Sequence, residues 1–285
     1  MNRINCICSK IEHIVNFKII QMKKVFFIIA LMALVVVSCQ KDDVAITQEE
    51  VSVQVLDQIK DLGFSTQNVI KCDEGYIVEG DIILTNESMQ NLTQEIKLRV
   101  GAEEHYCTYN LVTGTPRVIT VSLDKKLPSN FGPALDAAID RYNVLNLNIS
   151  FQRVDRNGDI KITAGPRWWN SYGILGMGGF PTNAGDPYNS IQMNTTAFKN
   201  AKIGYLTTVL AHEMGHNIGL RHTDYMDRSF SCGGEYSNEG PSDVGAVYIP
   251  GTPVNPENRS WMLSCTDGSD RPFTSNDRAA LNYLY

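Results

Sequence analysis

The chain has 285 residues, of which 43% are hydrophobic and 20% charged, and a formal net charge of -6. That length allows one substantial domain plus something smaller, and the composition is ordinary for a globular protein. The mild acidity, with no long basic run after the N-terminal segment, argues against a nucleic-acid partner.

The N-terminus reads first. Met22-Lys23-Lys24 precedes an uninterrupted apolar run, Val25–Val37, followed by Ser38-Cys39. A charged start, a short apolar core and a small residue before the cut describe a secretory signal. The run of 13 residues is too short to span a bilayer as a helix. Residues 1–38 are therefore expected to be a signal region, with Met22 as the true start. Val36-Val37-Ser38-Cys39 resembles a bacterial lipobox, which makes Cys39 the expected lipidation site and the membrane a partner through that anchor. Residues 39–43 would form the tether. Gln40-Lys41-Asp42-Asp43 resembles the acidic export tag of surface lipoproteins in some gram-negative bacteria, so the expected place is the outer membrane, with surface display one option and a periplasm-facing anchor the other. Four cysteines remain in the mature body, Cys72, Cys107, Cys232 and Cys265. An even number in an exported chain suggests two disulfides. The most economical pairing is Cys232 with Cys265 and Cys72 with Cys107, with the connectivity left open.

Residues 44–113 read as a small segment of their own. Thr47 and Glu50 have capping-box spacing, and Val51, Val55, Leu56, Ile59 and Leu62 share one helical face that Gly63 ends. Strand-like runs follow at Asn68–Lys71 and Tyr76–Leu84, then a polar stretch, Asn86–Glu95, with helical character. From residue 114 the texture changes. Arg117–Leu123 reads as a strand and Pro133–Leu145 as an amphipathic helix. Asn148–Val154 and Asp159–Ala164 read as strands joined by Asn157-Gly158, a strong hairpin signal. Asp155–Asp159 looks superficially like a calcium loop, but its glycine is misplaced and no glutamate closes it. A Gly- and aromatic-rich loop precedes a strand candidate at Ser190–Asn194. Ile203–Ile218 is a strong helix pattern, the next stretch of about 50 residues is loop-rich, and Ser275–Tyr285 closes with a short helix. This order indicates an α+β domain over 114–285.

The chemistry sits in His212-Glu213-Met214-Gly215-His216-Asn217-Ile218-Gly219-Leu220-Arg221-His222, which holds three of the chain's five histidines. Residues four apart on a helix lie almost above one another, so His212 and His216 project from one face, as two imidazoles on one zinc require. Gly219 can end the helix in a left-handed conformation and return the chain, bringing His222 in as the third ligand. Glu213, beside the first ligand, is placed to take a proton from the water that the zinc activates and pass it to the leaving amine. Gly215 costs about 1 kcal/mol against Ala inside a helix, which suggests that another element packs closely there.

These residues resemble the metzincin zinc peptidases, and within them the bacterial dual-action HEIGH metallopeptidases (peptidase family M57). The resemblance covers about 80–285, with Met214 where the family name has isoleucine, and extends to Arg221-His222-Thr223-Asp224 and Ala280-Leu281-Asn282-Tyr283. It implies a metzincin-like zincin fold: a twisted mixed sheet, an active-site helix and an irregular C-terminal lobe ending in a helix, preceded by the small N-terminal segment. It also implies zinc as cofactor and endopeptidase activity on proteins or peptides. Metzincins carry a methionine in a tight turn beneath the metal, and Met262 is the best match; Ser264, two residues on, stands where some carry a tyrosine ligand, so none is expected. Substrate would add to an edge strand of the sheet, for which Ser190, Ile191, Gln192, Met193 and Asn194 are the candidates, with the Trp168–Phe180 loop at the rim.

Val78-Glu79-Gly80-Asp81-Ile82 resembles the Phe-Glu-Gly-Asp-Ile type of motif of astacin prosegments, whose aspartate silences the zinc. Asp81 is thus a possible inhibitory ligand; the same residues also suit a plain hairpin turn. A monomer is expected. The competing function is a metal-bearing but proteolytically silent surface adhesin or peptide-binding lipoprotein, against which Glu213 argues. A structural zinc site is weaker still, since such sites are usually closed by a fourth protein ligand.

Overall fold

A computed structural model describes residues 50–89, 106–108, 110–236, 247–253 and 255–285. Gln48–Tyr285 forms one compact unit, separate from Met1–Thr47. The signal region, Cys39 and the tether lie outside the described residues, as does Thr47. No helix among the described residues is long and apolar enough to cross a membrane.

The first helix, α1 (Val53–Asp61), starts later than the capping-box spacing suggests. Its N-cap is Ser52, whose hydroxyl accepts from the Val55 amide at 3.4 Å. Ile59 and Leu62 are buried from this helix and its cap, and Gly63 follows at φ 77°, the left-handed conformation expected of it. An antiparallel sheet comes next, with β1 (Ile70–Cys72), β2 (Gly75–Val78) and β3 (Ile82–Thr85) in that order. The single run Tyr76–Leu84 is broken because Glu79 and Gly80 take φ 55° and 93° and reverse the chain. Ile59, Leu62, Phe64, Val78, Ile82 and Leu84 form the apolar cluster under this sheet. Residues 86–89 are helical, and the rest of the Asn86–Glu95 stretch lies outside the described residues.

A two-stranded pair, β4 (Tyr106–Cys107) with a later β10 (Val247–Tyr248), precedes the main sheet. That sheet contains β5 (Arg117–Leu123), β6 (Ile149–Val154), β7 (Ile160–Ala164), β8 (Gly176–Met177) and β9 (Ser190–Met193), in the order β6-β5-β7-β9-β8. β5, β6, β7 and β9 run parallel and only β8 is antiparallel. Two expectations fail here. Asn157-Gly158 is not a hairpin: β6 and β7 flank β5 on opposite sides, and the loop crosses the sheet where β6 ends at Ser122↔Val154 and β7 begins at Val121↔Ile160. Asn157 does take the left-handed φ of 54°, and Gly158 passes so close that a Cβ would lie 2.7 Å from the Ser122 nitrogen. Asp159 then accepts from the Thr120 amide and hydroxyl at 2.7 Å each, filling the ladder ahead of β7. The second failure concerns Ser190–Asn194. It forms β9 but is not the edge, because β8 pairs outside it at Gly176↔Met193 and Met177↔Gln192.

The helices α2 (Phe131–Asn143), α3 (Ile203–Asn217) and α4 (Ser275–Leu284) complete the domain. α2 buries Phe131, Ala134, Leu135, Ala138, Ile139 and Tyr142, one amphipathic stripe. α3 is buried all round from Leu206 to Asn217, which marks it as the core element of the fold. α4 opens with a reciprocal capping box between Thr274 and Asp277 and buries Ala280 and Leu281. Tyr285 behind it donates its hydroxyl to the Ile218 carbonyl at the end of α3. Cys232 and Cys265 form a disulfide, whereas Cys72 and Cys107 are not bridged to each other. The expected second bridge fails because Cys72 belongs to β1 and Cys107 to β4, strands of different sheets. The architecture is α+β with a mixed sheet and a loop-rich C-terminal region ending in a helix.

Candidate metal centre

α3 delivers His212 and His216 from one face. The helix closes at Ile218, and Gly219 at φ 105° turns the chain back. That conformation strongly favours glycine, and a Cβ there would also lie 2.9 Å from the Asn110 carbonyl oxygen. The return brings His222 against the other two: ring centroids lie 4.7 Å (212–216), 5.3 Å (212–222) and 4.9 Å (216–222) apart. All three rings are buried.

Each ring is oriented from outside. His212 Nδ1 donates to the Trp261 carbonyl and His216 Nδ1 to the Leu220 carbonyl, both at 2.8 Å. A carbonyl can only accept, so each Nδ1 carries the proton and each Nε2 presents a lone pair inward. The two Nε2 atoms lie 3.0 Å apart. His222 Nδ1 lies 3.7 Å from Glu79 Oε2.

The fourth group is Asp81. Its Oδ2 lies 3.2 Å from His222 Nε2 and 3.3 Å from His212 Nε2, and its Oδ1 lies 3.9 Å from His216 Nε2. Donor atoms of Asp81, His212, His216 and His222 all fall within 4.8 Å of one another. Asp81 Oδ1 is buried with no hydrogen-bond partner among the described residues. Inward lone pairs, an orphaned carboxylate oxygen and outward-engaged Nδ1 protons are the donor set of a divalent metal such as zinc. Burial opposes the Asp81 carboxylate, but the three imidazoles around it, His222 foremost, outweigh it and hold its pKa well below the usual carboxylate range. Burial, then His212, keeps His216 well below the ordinary histidine value, hence neutral and able to ligate. Burial and the nearby Asp81 raise the Glu213 carboxyl well above its usual value.

A family model of the dual-action HEIGH metallo-peptidases matches residues 76–285, including every donor above. The chain belongs to this family. As a HEIGH metallopeptidase it is a metal-dependent protease whose substrates are proteins or peptides. Two solved structures of myroilysin resemble it. One has 14% identity over 61% of this chain and 82% of that one, with a TM-score of 0.39. The other has 14% identity over 72% and 98%, with a TM-score of 0.33. The sequence matches no curated protein.

Around the donors, this HEIGH chain makes contacts that the sequence does not show, among them those of Asn217, Gly176 and Gly178, to which the sequence assigns no role. Glu213 packs against the backbone of β8, where a Cβ on Gly176 would lie 2.3 Å from Oε1 and one on Gly178 3.2 Å from Oε2. The Asn217 side chain donates to the carbonyls of Tyr188 (2.7 Å) and Ser190 (3.1 Å) and accepts from the Gly179 amide (3.3 Å). It thereby satisfies strand groups that β8 is too short to reach. Arg221, wholly buried, donates to Glu79 Oε1 at 2.7 Å and to the Gly63 carbonyl at 2.9 Å, and its guanidinium stacks 4.3 Å from the Phe64 ring centre. Asp224 accepts from the Ser264 amide at 2.8 Å, and the Thr223 amide donates to the Met262 carbonyl at 2.9 Å. These two contacts tie the loop after the third histidine to the turn that carries Met262. Met262 itself is buried against α3 at Gly215, and Ser264 faces Asp224 and not the donors. Trp169 is core and Trp168 packs beside it, at the far end of the loop that leads to β8.

Asp81 reaches the donors because its strand docks on the main sheet. The Gly178 amide donates to the Asp81 carbonyl and the Ile83 amide to the Gly178 carbonyl, both at 2.9 Å, in parallel orientation. The hairpin reading of Glu79-Gly80-Asp81 therefore holds alongside the ligand geometry: the β2–β3 turn carries Asp81 to the histidines.

Proposed function

We propose that the chain is a zinc-dependent endopeptidase in which His212, His216 and His222 hold the metal, Glu213 moves the proton, and Asp81 keeps the full-length protein silent. The reading rests on one observation above all: three imidazoles and one carboxylate oxygen, supplied by α3, the returning chain and the β2–β3 turn, gather within 4.8 Å. Zinc, when bound, supplies Lewis acidity, polarising the scissile carbonyl and easing deprotonation of the attacking water. Glu213, one residue from the first ligand, takes that proton and passes it to the leaving amine. Its position is set by Gly176 of β8 and by Gly178 just after it, whose backbone approaches closer than a side chain would allow. Met262 fills the space under the donors at Gly215, and the carbonyl of Trp261 beside it fixes the His212 ring. Asp81 takes the side from which water would enter, and its strand occupies the edge that β8 would otherwise offer to a substrate strand.

Export and lipid anchoring at Cys39 belong to the same reading and rest on the apolar run before Ser38-Cys39. On this reading the enzyme sits at the outer membrane. Incorporation of labelled palmitate that vanishes in Cys39→Ala is the expected result.

The enzymatic test compares zinc-loaded full-length protein with Asp81→Ala on casein. Turnover should rise in Asp81→Ala, stop on chelation, and be absent when Glu213→Ala is added. Turnover that survives chelation or Glu213→Ala overturns the catalytic assignment. Equal turnover with and without the Asp81 carboxylate removes its silencing role.

A further inference from the structure

A cavity of about 330 Å³ lies beside Glu213 and His212, between α3 and the loop that follows Met262. Val209, Trp261 and Leu263 give it apolar walls. Asp81 and Glu213 line it from the metal centre, and the other charged residues lining it, among the described residues, are Arg228 and Arg271.

Arg271 is built into the site. Its backbone amide donates to Thr208 Oγ1 at 2.8 Å, and its carbonyl accepts from Arg141 Nη1 at 3.1 Å. Thr208 lies one turn before His212 on the same helical face, so this contact sets Arg271 at a defined distance from the metal donors. The residue is 6% exposed. Nη1 donates to the Cys265 carbonyl at 3.0 Å, and Cys265 is fixed by its disulfide to Cys232. The nearest carboxylate, Asp267, lies 3.5 Å from Nη2 and is itself 60% exposed. Nε is buried and has no hydrogen-bond partner among the described residues. A buried guanidinium that lines an apolar-walled space and has one unpartnered N–H favours a carboxylate over a neutral group.

We propose that this cavity receives an acidic side chain, Asp or Glu, of the residue that follows the scissile bond, with Arg271 as the specificity-determining residue. The inference rests on the peptidase reading above and names its substrate class. The assignment to the leaving side follows from Glu213. That carboxylate hands its proton to the leaving amine and lines this cavity, whereas His216 and His222 do not. Arg228 adds a second positive group to the wall next to Gly80.

The experiment has two arms, both on the full-length chain. In the first, zinc-loaded Asp81→Ala protein digests a proteome-derived peptide library, and the residue after each cut is counted. In the second, Asp81→Ala/Glu213→Ala protein is titrated by fluorescence polarisation with two labelled hexapeptides that differ only as Glu or Gln at one central position. Asp and Glu should dominate after the cut, and the Glu peptide should bind about tenfold more tightly than the Gln peptide. Arg271→Gln should abolish both preferences and Arg271→Lys should retain part of them. Equal binding of the two peptides, binding of neither, or a preference that survives Arg271→Gln overturns the proposal. The Glu/Gln difference is measured without any change at Arg271, so a misfolded Arg271 variant leaves the test decisive. Binding that discriminates while no peptide is cut counts against the peptidase reading and supports the pocket.

Discussion

A Cβ added to Gly215 would lie 2.6 Å from the sulfur of Met262 and 3.4 Å from the Tyr142 hydroxyl. The glycine in the middle of the metal-bearing helix therefore exists to let the methionine turn in beneath it. Alanine has the better helix propensity by about 1 kcal/mol, but overpacking costs about 1–3 kcal/mol. Gly215→Ala should accordingly be costlier with Met262 present than in a Met262→Ala background. A double-mutant cycle by urea unfolding should give a coupling of about 1–3 kcal/mol with that sign.

Arg221 and Glu79 form an ion pair with both side chains fully buried. Removing one partner leaves a charge in the interior, which costs about 3–5 kcal/mol. Arg221→Met should lower the denaturation midpoint by that equivalent, and Arg221→Met/Glu79→Met should recover a large part of it.

Gly176→Ala should separate catalysis from metal binding. The new methyl would have Glu213 Oε1, Cδ and Cγ as its three nearest neighbours. Displacing a proton-transfer group by about 1 Å costs roughly 10²-fold in rate. The variant, made in the Asp81→Ala background, should lose kcat on that scale while its zinc content by atomic absorption stays at that of the parent.

Burial pushes the Cys107 thiol from 9.0 to about 12. The folded state thus favours the protonated thiol. Its contribution is complete below the unfolded value near pH 9 and is lost as pH rises toward 12. Unfolding free energy should fall across that window, at up to about 1.4 kcal/mol per pH unit from this group, and Cys107→Ala should flatten the fall. At about pH 8, below the ordinary thiol value, the folded protein should be alkylated at half-buried Cys72 before Cys107, as read by peptide mass spectrometry.

The Cys232–Cys265 bridge closes a loop with a sequence separation of 33. Its loss should cost about 2–4 kcal/mol. Because the Cys265 carbonyl accepts from Arg271, Cys232→Ser/Cys265→Ser should also weaken discrimination between Glu and Gln peptides.

The local elements were legible because they depend on near neighbours. The strand Arg117–Leu123 has the predicted bounds, and the metal helix and the closing helix differ from the reading by a residue each. The close packing at Gly215 followed from the cost of a glycine inside a helix. Asn157-Gly158 misled because the dipeptide reports only the local backbone, which is left-handed as expected. Whether the flanking strands pair with each other or with β5 between them depends on contacts such as Asp159 with Thr120, 39 positions away. The edge strand failed for the same reason, since β8 is a two-residue strand with no periodic signal. Glu79 and Arg221 were invisible as a pair, because nothing in a chain links residues 142 positions apart.

The sequence by itself determined the donor chemistry of this protein: helical spacing places His212 and His216 on one face, and Gly219 permits the return to His222. For Asp81 the sequence offered a ligand or a plain turn, and the tertiary structure brought it to the histidines; tertiary structure alone decided that β8 rather than β9 forms the edge of the main sheet and that Arg271 stands beside Glu213. The physical reason is range. Helix periodicity and glycine conformation act over a few residues, whereas a carboxylate or guanidinium from a distant segment meets the site only after the sheet has formed and burial has selected its partners.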